Sequence, residues 1–347
     1  MELAQILTPL HLPAGRQVPS YQERRIYFCP MKWFLSLQTK QKAIIALILA
    51  NLIWGAASPI FKWSLGNIPL FTLAYFRFFI ASFFILPFAL KRSLVIEKKD
   101  WLSLFLMSFF GITLNITFFF LGLEYTASIN APIIASAGPV FLLIAAFLVL
   151  HEKPKRKTLA GTLISLLGVL VIIGRPLFEK GLTSGNGDTS SLAFLGNVFF
   201  VVATLGAVGH TIIGKELARK YSAFTLTFWA FLIGSIGFFP LFVRELFING
   251  GWTPLDIRGI LGLVFGILLS SGFAYLAYHW AIEKLPASET GVFTYIDPLA
   301  ATLIALPLLG EIITPLFVLG SIFVFAGIFV AEGRINYHPF HKLRSLH

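Results

Sequence analysis

Charged residues are scarce in this chain of 347 amino acids, where Asp, Glu, Lys and Arg together make up 12% of the sequence. Soluble globular domains contain about 25% charged residues, so this composition excludes an ordinary soluble domain. Cys29 is the only cysteine, which excludes an internal disulfide and argues against a thiolate metal site. A Walker-type G-x-x-x-x-G-K-[ST] loop is also missing, which argues against ATP as an energy source.

Hydrophobic residues are abundant instead, at 57% of the chain with a mean hydropathy of +0.83. They form successive runs of about 18 to 24 residues, the length a helix needs to cross a hydrocarbon core of about 30 Å. The runs are too long for barrel strands, and helices satisfy their own backbone groups in lipid. The sequence therefore predicts an all-α integral membrane protein with ten transmembrane helices. We place them at about 43–65, 70–90, 101–123, 128–150, 158–174, 191–214, 223–243, 259–282, 287–309 and 314–332.

The net charge of +11 has an uneven distribution along the chain. If the ten helices alternate in direction, 21 of the 27 Lys and Arg residues lie on one side of the membrane. The positive-inside rule places this side, and both termini, in the cytoplasm. The basic character thus indicates membrane topology, and it does not indicate nucleic-acid binding. We predict a multi-pass protein of the cell (plasma or inner) membrane.

An internal repeat relates the two halves of the sequence. The segment 123–171 aligns without gaps to 282–330 at a shift of 159 residues, which pairs Pro139 with Pro298 and Glu152 with Glu311. A weaker match at a shift of 153 pairs Lys62 with Lys215. Because each copy holds five helices, an odd number, the second copy enters the membrane from the opposite side.

Two inverted five-helix repeats are the architecture of many secondary transporters, which bind their substrate between the halves. The predicted organisation is a disordered cytoplasmic N-terminal tail, a first repeat, a linker, a second repeat and a basic cytoplasmic tail. Their residues are 1–42, 43–174, 175–190, 191–332 and 333–347.

Three segments carry a family resemblance: "NLIWGAASPIFKWSL", "NAPIIASAGPVFLLIAAFLVLHEK" and "ASETGVFTYIDPLAATLIALPLLGE". Over about residues 42–334 the chain resembles the EamA-type members of the drug/metabolite transporter superfamily. The resemblance implies ten helices in two inverted repeats, a central cavity, and export of small metabolites, often amino acids. Gly138 departs from the pattern, because an acidic residue is frequent before the proline of such repeats. A mechanism with paired carboxylates is therefore not implied.

Polar residues on the first predicted helix share one face, since Asn51, Trp54, Ser58 and Lys62 recur at helical spacing. Trp54 offers an aromatic surface with one N–H donor, which suits an amphipathic solute. We predict that Trp54 and Ser58 line the cavity, while packing remains the alternative. For Lys62, near the end of the helix, we favour a side chain that reaches out to water.

Two polar residues stand out on the second and third helices. Arg77 is the lone charge of its helix, and an arginine inside a membrane costs roughly 2.5 to 3.5 kcal/mol on insertion scales. It either attracts a carboxylate on the substrate or binds a carboxylate or carbonyl of the protein. Asn115 either lines the cavity or serves helix packing, as do Ser128 and Ser136 on the fourth helix.

The sixth and eighth helices supply histidines and tyrosines. His210 lies one turn after Gly206, and Ser271, Tyr275, Tyr278 and His279 share a face of the eighth helix. Histidine titrates near neutral pH and can bind a solute or relay protons. The alternative is a buried histidine that bonds to a carbonyl.

The ninth helix presents Thr294 and Asp297 on one face, directly before Pro298. Asp297 has two compatible roles, because it can cap the half-helix that begins at the proline or carry a proton or counter-charge in the cavity. Glu152 and Glu311 end corresponding helices, which suggests a structural or gating contact with the helix that follows each.

We therefore predict a secondary transporter, not an enzyme, that exports a small metabolite by alternating access. The expected solute is an amino acid or a related amphipathic molecule. No cofactor or metal is expected, proton antiport and facilitated exchange both stay open, and so does a homodimer. The alternatives are a membrane enzyme acting on lipid-linked substrates, whose usual motifs are missing, and a non-transporting sensor. The candidate substrate-binding residues are Trp54, Ser58, Arg77, Asn115, His210, Tyr275, Tyr278, Thr294 and Asp297.

Overall fold

The computed structural model describes residues 38–141, 144, 156–179, 188–251, 254–285 and 291–331. Over these residues the chain is helical, and they include no β-strand. Most of the predicted N-terminal tail, the basic C-terminal tail, the middle of the linker and Glu152 lie outside the described residues.

The helices follow the apolar runs of the sequence. They are α1 Thr39–Leu65, α2 Leu70–Leu90, α3 Lys98–Tyr125, α4 Asn130–Ser136, α5 Arg156–Phe178, α6 Asp188–Leu217, α7 Ala223–Ile248, α8 Ile257–Ile282, α9 Ile296–Leu309 and α10 Pro315–Ala331. Seven helices of the described chain are long and apolar enough to cross a membrane, and α9 and α10 are shorter apolar helices. The prediction of an all-helical, multi-pass membrane protein is confirmed. Two helices extend into the predicted linker, residues 175–190, because α5 ends at Phe178 and α6 begins at Asp188.

The outer surface of the bundle is apolar, as a lipid-facing surface must be. On α5, for example, Leu163, Leu167 and Leu170 keep 54%, 56% and 62% of their surface exposed. The interior is rich in aromatic side chains, of which Phe61, Phe78, Phe120, Phe231 and Phe238 are fully buried. Prolines lie inside α1, α2, α5, α7 and α9, as membrane-spanning helices tolerate.

Helices of the first half pack mainly against helices of the second half. The largest contacts join α5 with α10 and α2 with α7. Several smaller contacts come in pairs, because α1 contacts α9 as α4 contacts α6, and α1 contacts α8 as α6 contacts α3. Each contact of these pairs becomes the other when every helix is replaced by its equivalent five positions along.

Glycines set the closest of these approaches. A Cβ atom placed on Gly168 of α5 would lie 2.6 Å from the carbonyl oxygen of Gly320 on α10. A Cβ atom on Gly55 of α1 would lie 2.5 Å from the carbonyl oxygen of Asp297 on α9. Small residues therefore let these helix backbones touch, which is how helices associate where no water is displaced.

The third helix of each half contains a π-helical stretch, Phe109–Leu114 in α3 and Phe265–Phe273 in α8. Such wide turns change the hydrogen-bonding register and are frequent at functional sites. In α8 the stretch carries Ser270 and Ser271, whose polar atoms bond to other helices.

The start of α8 is capped by Asp256, which lies outside the apolar span. Its Oδ1 accepts hydrogen bonds from the backbone N–H groups of Arg258 and Gly259, at 2.8 and 3.2 Å. The Arg258 side chain donates to Oδ2 and, with those N–H groups, lowers the pKa of the Asp256 carboxyl. Asp256 therefore satisfies N–H groups that the first turn of a helix leaves free.

Candidate functional site

A central cavity of about 800 Å³ lies between the two halves. It is formed by α1, α3, α4, α6, α8 and α9 together with the turn that precedes α9. Six of the predicted site residues line it, namely Trp54, Ser58, Asn115, Tyr278, Thr294 and Asp297. Its volume is within the range of small-molecule sites.

Trp54 forms an aromatic wall of the central cavity. Its indole N–H donates to the carbonyl oxygen of Ser270 at 3.1 Å, within the π-helical stretch of α8. Its ring meets Tyr275 edge-on at 5.3 Å between centroids and lies 5.2 Å from the ring of Tyr278. The indole is thus fixed in orientation by one hydrogen bond and two aromatic neighbours.

Asp297 lines the same cavity at the start of α9. Its Oδ1 is buried and has no hydrogen-bond partner in the described part of the chain, and the boundary of α9 shows no side-chain cap. Ser58 Oγ, across the close contact between α1 and α9, is likewise buried without a partner. Buried polar atoms without partners are uncommon, and each calls for an explanation such as a ligand.

No Lys or Arg is among the described residues that line the central cavity, so Asp297 dominates its charge. A carboxylate in such surroundings attracts a cationic group strongly, because little water screens the two charges.

An adjoining cavity of about 580 Å³ continues from the central one and shares Trp54, Asn115, Tyr278 and Thr294 with it. Tyr275, His210 and His279 line this second space, and Lys215 lies at its margin. It therefore contains the basic side chains that the central cavity lacks.

Both histidines have one ring nitrogen fixed by a hydrogen bond. Nδ1 of His210 lies 2.9 Å from the carbonyl oxygen of Met107, which only accepts, so this nitrogen carries the hydrogen. Nε2 of His279 lies 2.8 Å from Thr227 Oγ1, and its Nδ1 is buried without a partner. A bond to a carbonyl is the alternative that the sequence left open for His210, yet this residue also lines a cavity.

Asn115 and two threonines complete the polar lining. The side-chain amide of Asn115 donates to the carbonyl oxygen of Ala203 at 2.6 Å, so it links α3 to α6. The sequence reasoning did not identify Thr204 and Thr211, which also line the central cavity. Their spacing of seven residues in an apolar helix was the available signal, since it places two hydroxyls on one face.

Arg77 lies elsewhere, because it is not among the described residues that line either cavity. Its guanidinium donates to Ser271 Oγ at 2.8 Å and to Ser270 Oγ at 3.0 Å. The rings of Phe61 and Phe78 lie on it, each with a centroid 4.6 Å from Cζ. Of the two predicted roles, the structure therefore favours a partner within the protein, and that partner is a pair of hydroxyls.

Lys62 and Glu311 also differ from expectation. Lys62 does not simply reach out to water, since its Nζ lies 3.2 Å from Glu311 Oε1 and 2.6 Å from the carbonyl oxygen of Thr126. Glu311 contacts α1 and the start of α4, across the two halves, and not only the helix that follows it.

Comparisons with known proteins agree with this architecture. Residues 41–174 and 194–332 match the EamA-like transporter family. An uncharacterized transporter of Archaeoglobus fulgidus is 31% identical over 291 residues, which cover 83% of this chain and 98% of that protein. The uncharacterized transporter YetK of Bacillus subtilis is 29% identical over 83% of this chain and 86% of its own length. A crystal structure superposes with a TM-score of 0.57 at 16% identity, over 86% of this chain and 100% of that chain, which shows the fold alone.

Proposed function

Because the chain belongs to the EamA-like transporter family, we propose that it is a secondary transporter that exports a small amphipathic solute, an amino acid or a related amine, by alternating access. The family and the similar proteins are transporters, so a non-enzymatic role follows directly. The solute, the direction of transport and the mechanism are parts of the proposal.

The pairing of helix contacts supports two inverted repeats. Replacing each helix by the one five positions along exchanges the α1–α9 contact with the α4–α6 contact, and it leaves α5–α10 and α2–α7 unchanged. A two-fold relation between the halves has this property. In such transporters the substrate site lies between the repeats, and one repeat rocks against the other. The ten-helix topology with both termini in the cytoplasm rests on the lysine and arginine distribution.

The observation that carries the solute proposal is the buried, unpartnered carboxylate oxygen of Asp297 in an aromatic-walled cavity. An amino group of the solute satisfies that oxygen, and its apolar body lies against Trp54 and Tyr278. A solute carboxylate is then accommodated toward Lys215, the ammonium donor of the adjoining cavity, and His210 donates to it only when both of its ring nitrogens carry hydrogen. Asp297 also exchanges a proton when no solute is bound, which couples export to proton entry.

The test begins with ligand identification by thermal unfolding in a panel of amino acids and amines, because a ligand of the folded state raises its stability. Flux of the best ligand is then measured in liposomes that contain the purified protein. We expect saturable flux that Asp297→Asn reduces by about tenfold or more, since hydrogen bonds to charged groups contribute roughly 1.5 to 3 kcal/mol.

The matched control is Asp256→Asn, which changes a carboxylate outside both cavities and leaves flux per folded protein unchanged. Flux of the Asp297→Asn variant with an unaltered pH dependence would remove the proton role and leave transport intact. A broad panel without any saturable flux would refute the transporter itself.

A further inference from the structure

Glu311 lines one of two described cavities that share no lining residue. One is the central cavity, and the other, which Glu311 lines, is a vestibule of about 590 Å³. The vestibule is lined by Lys62, Thr126, Arg175, Glu179 and Glu311, among others. Its partner Lys62 lies one helical turn after Ser58, and its partner Ile129 lies two residues before Ala131. Ser58 and Ala131 both line the central cavity, so the contacts of Glu311 lie next to its wall.

The carboxylate of Glu311 joins three parts of the chain. Its two oxygens accept hydrogen bonds from the backbone N–H groups of Ser128 and Ile129, at 2.6 and 3.1 Å. Lys62 pairs with Oε1 and donates to the carbonyl oxygen of Thr126. Glu311 belongs to the second half, and the described partners of its carboxylate belong to the first.

The geometry of the chain fixes Glu311 in this place. Gly310 adopts a left-handed conformation with φ of 65°, which stops α9 and turns the chain. The side chain of Glu311 is only 8% exposed, while that of Lys62 is 28% exposed. On the other side of the contact, Asn130 at the start of α4 is held to α6 by a 2.8 Å hydrogen bond to Asn197.

We propose that Glu311, Lys62 and the backbone of Ser128 and Ile129 form a gate that closes the central cavity on the vestibule side and that opens during transport. This inference rests on the proposed function, because a gate requires a solute path. The bonds are charge-assisted and cross between the halves, so they break together when one half rocks against the other. They involve one carboxylate, and a single side chain therefore controls the closure.

Glu245 provides a matched comparison. Its two carboxylate oxygens also accept hydrogen bonds from two successive N–H groups of the other half, those of Phe71 and Thr72, at 2.9 and 2.8 Å. Glu245 does not line the described parts of the central cavity or of the vestibule. Glu245 thus shares the pair of backbone N–H donors with Glu311 and has the Thr72 hydroxyl, at 3.0 Å, where Glu311 has Lys62.

The test measures access to the central cavity, independently of solute flux. Cys29→Ser first removes the native cysteine of the full chain. Ala135→Cys then places a single cysteine in the lining of the central cavity. A membrane-impermeant maleimide is applied from the vestibule side. A separate Asn249→Cys variant identifies this side, because Asn249 follows the end of α7 at which Glu245 contacts the start of α2. The start of α2 directly follows the end of α1 that carries Lys62. The rate of labelling reports how often the gate is open.

We expect Glu311→Gln to raise the labelling rate by about tenfold or more, as the loss of charge-assisted bonds implies. Lys62→Gln gives a smaller rise, because both N–H groups still hold Glu311. Glu245→Gln leaves the rate within about twofold, whatever it does to thermal stability. If Glu311→Gln does not fold, Glu311→Asp replaces it, since its shorter side chain reaches the N–H groups less well.

An unchanged rate in the Glu311 variants overturns the gate, and so does an equal rise in Glu245→Gln, which indicates general loosening. If Glu311→Gln is labelled faster but no solute is transported, the gate at Glu311 is supported and the proposed transport is refuted. The two inferences are therefore tested by separate measurements.

Discussion

Arg77 and Asp297 both lie within apolar helices, and their surroundings are opposite. Arg77 is 5% exposed, donates to two serine hydroxyls and lies between two phenylalanine rings. Asp297 faces a cavity with a carboxylate oxygen that has no hydrogen-bond partner among the described residues. The difference teaches that a charge inside the membrane is not by itself a substrate site. We therefore assign the satisfied charge of Arg77 to the stability of the fold and propose the carboxylate of Asp297 as the group that meets a solute.

Arg77→Ala has the largest expected effect on stability. The substitution leaves a void between Phe61 and Phe78 and two serine hydroxyls without their donor. We expect a loss of about 2 to 4 kcal/mol in the free energy of unfolding. Thermal unfolding in detergent measures the loss, and flux per folded protein should stay unchanged. A variant of normal stability with lost flux would place Arg77 in the solute path instead.

Asp297→Asn should change stability in the opposite direction. It replaces a buried carboxylate, whose Oδ1 has no partner, by a neutral side chain of the same shape. We expect the free energy of unfolding to rise by up to about 1 kcal/mol, as happens when a functional site is relieved of a destabilising group. The same thermal unfolding assay, without solute, tests this. A marked loss of stability would mean that the Asp297 carboxylate stabilises the folded state.

Trp54→Phe should have an intermediate effect, because it retains an aromatic wall and removes the donor to Ser270. We expect a loss of about 1 kcal/mol in stability, the typical contribution of one hydrogen bond. Solute affinity, measured from the concentration dependence of flux, should fall by a few-fold. Unchanged affinity would show that the orientation of the indole is irrelevant to the solute.

Ser58→Ala should have the smallest effect on stability, within about 0.5 kcal/mol, since its hydroxyl has no partner among the described residues. The control is Ser64→Ala on the same helix, whose hydroxyl donates to the carbonyl oxygen of Ile60 at 2.8 Å. We expect a weakened solute affinity for Ser58→Ala only. Equal affinities in both variants would contradict a contact between Ser58 and the solute.

Much of the candidate site follows from helical spacing, because polar residues three or four positions apart on an apolar helix share a face. Trp54 with Ser58 and Thr294 with Asp297 were identified in this way, and both pairs line the central cavity. Arg77 could not be resolved by that reasoning. Spacing reports the face on which a residue lies, but not whether the neighbouring helix offers a cavity or two hydroxyls.

The partners of Lys62 and Glu311 could not be predicted from the sequence for a related reason. Their contact joins residues 249 positions apart, and it depends on the left-handed turn at Gly310 and on the position of α4. A repeat in the sequence indicates that two glutamates occupy equivalent places. It does not indicate which helix of the other half each one meets.

The sequence by itself determined that this protein is helical, spans a membrane and belongs with transporters, because hydropathy, charge distribution and repeated motifs are properties of the chain alone. Tertiary structure alone decided which polar groups find partners. Hydrogen bonds between distant helices satisfy Arg77, Lys62 and Glu311, whereas no described residue offers a hydrogen bond to Oδ1 of Asp297. The physical reason is that the energy of a buried charge depends on its neighbours in space, which the order of residues does not specify.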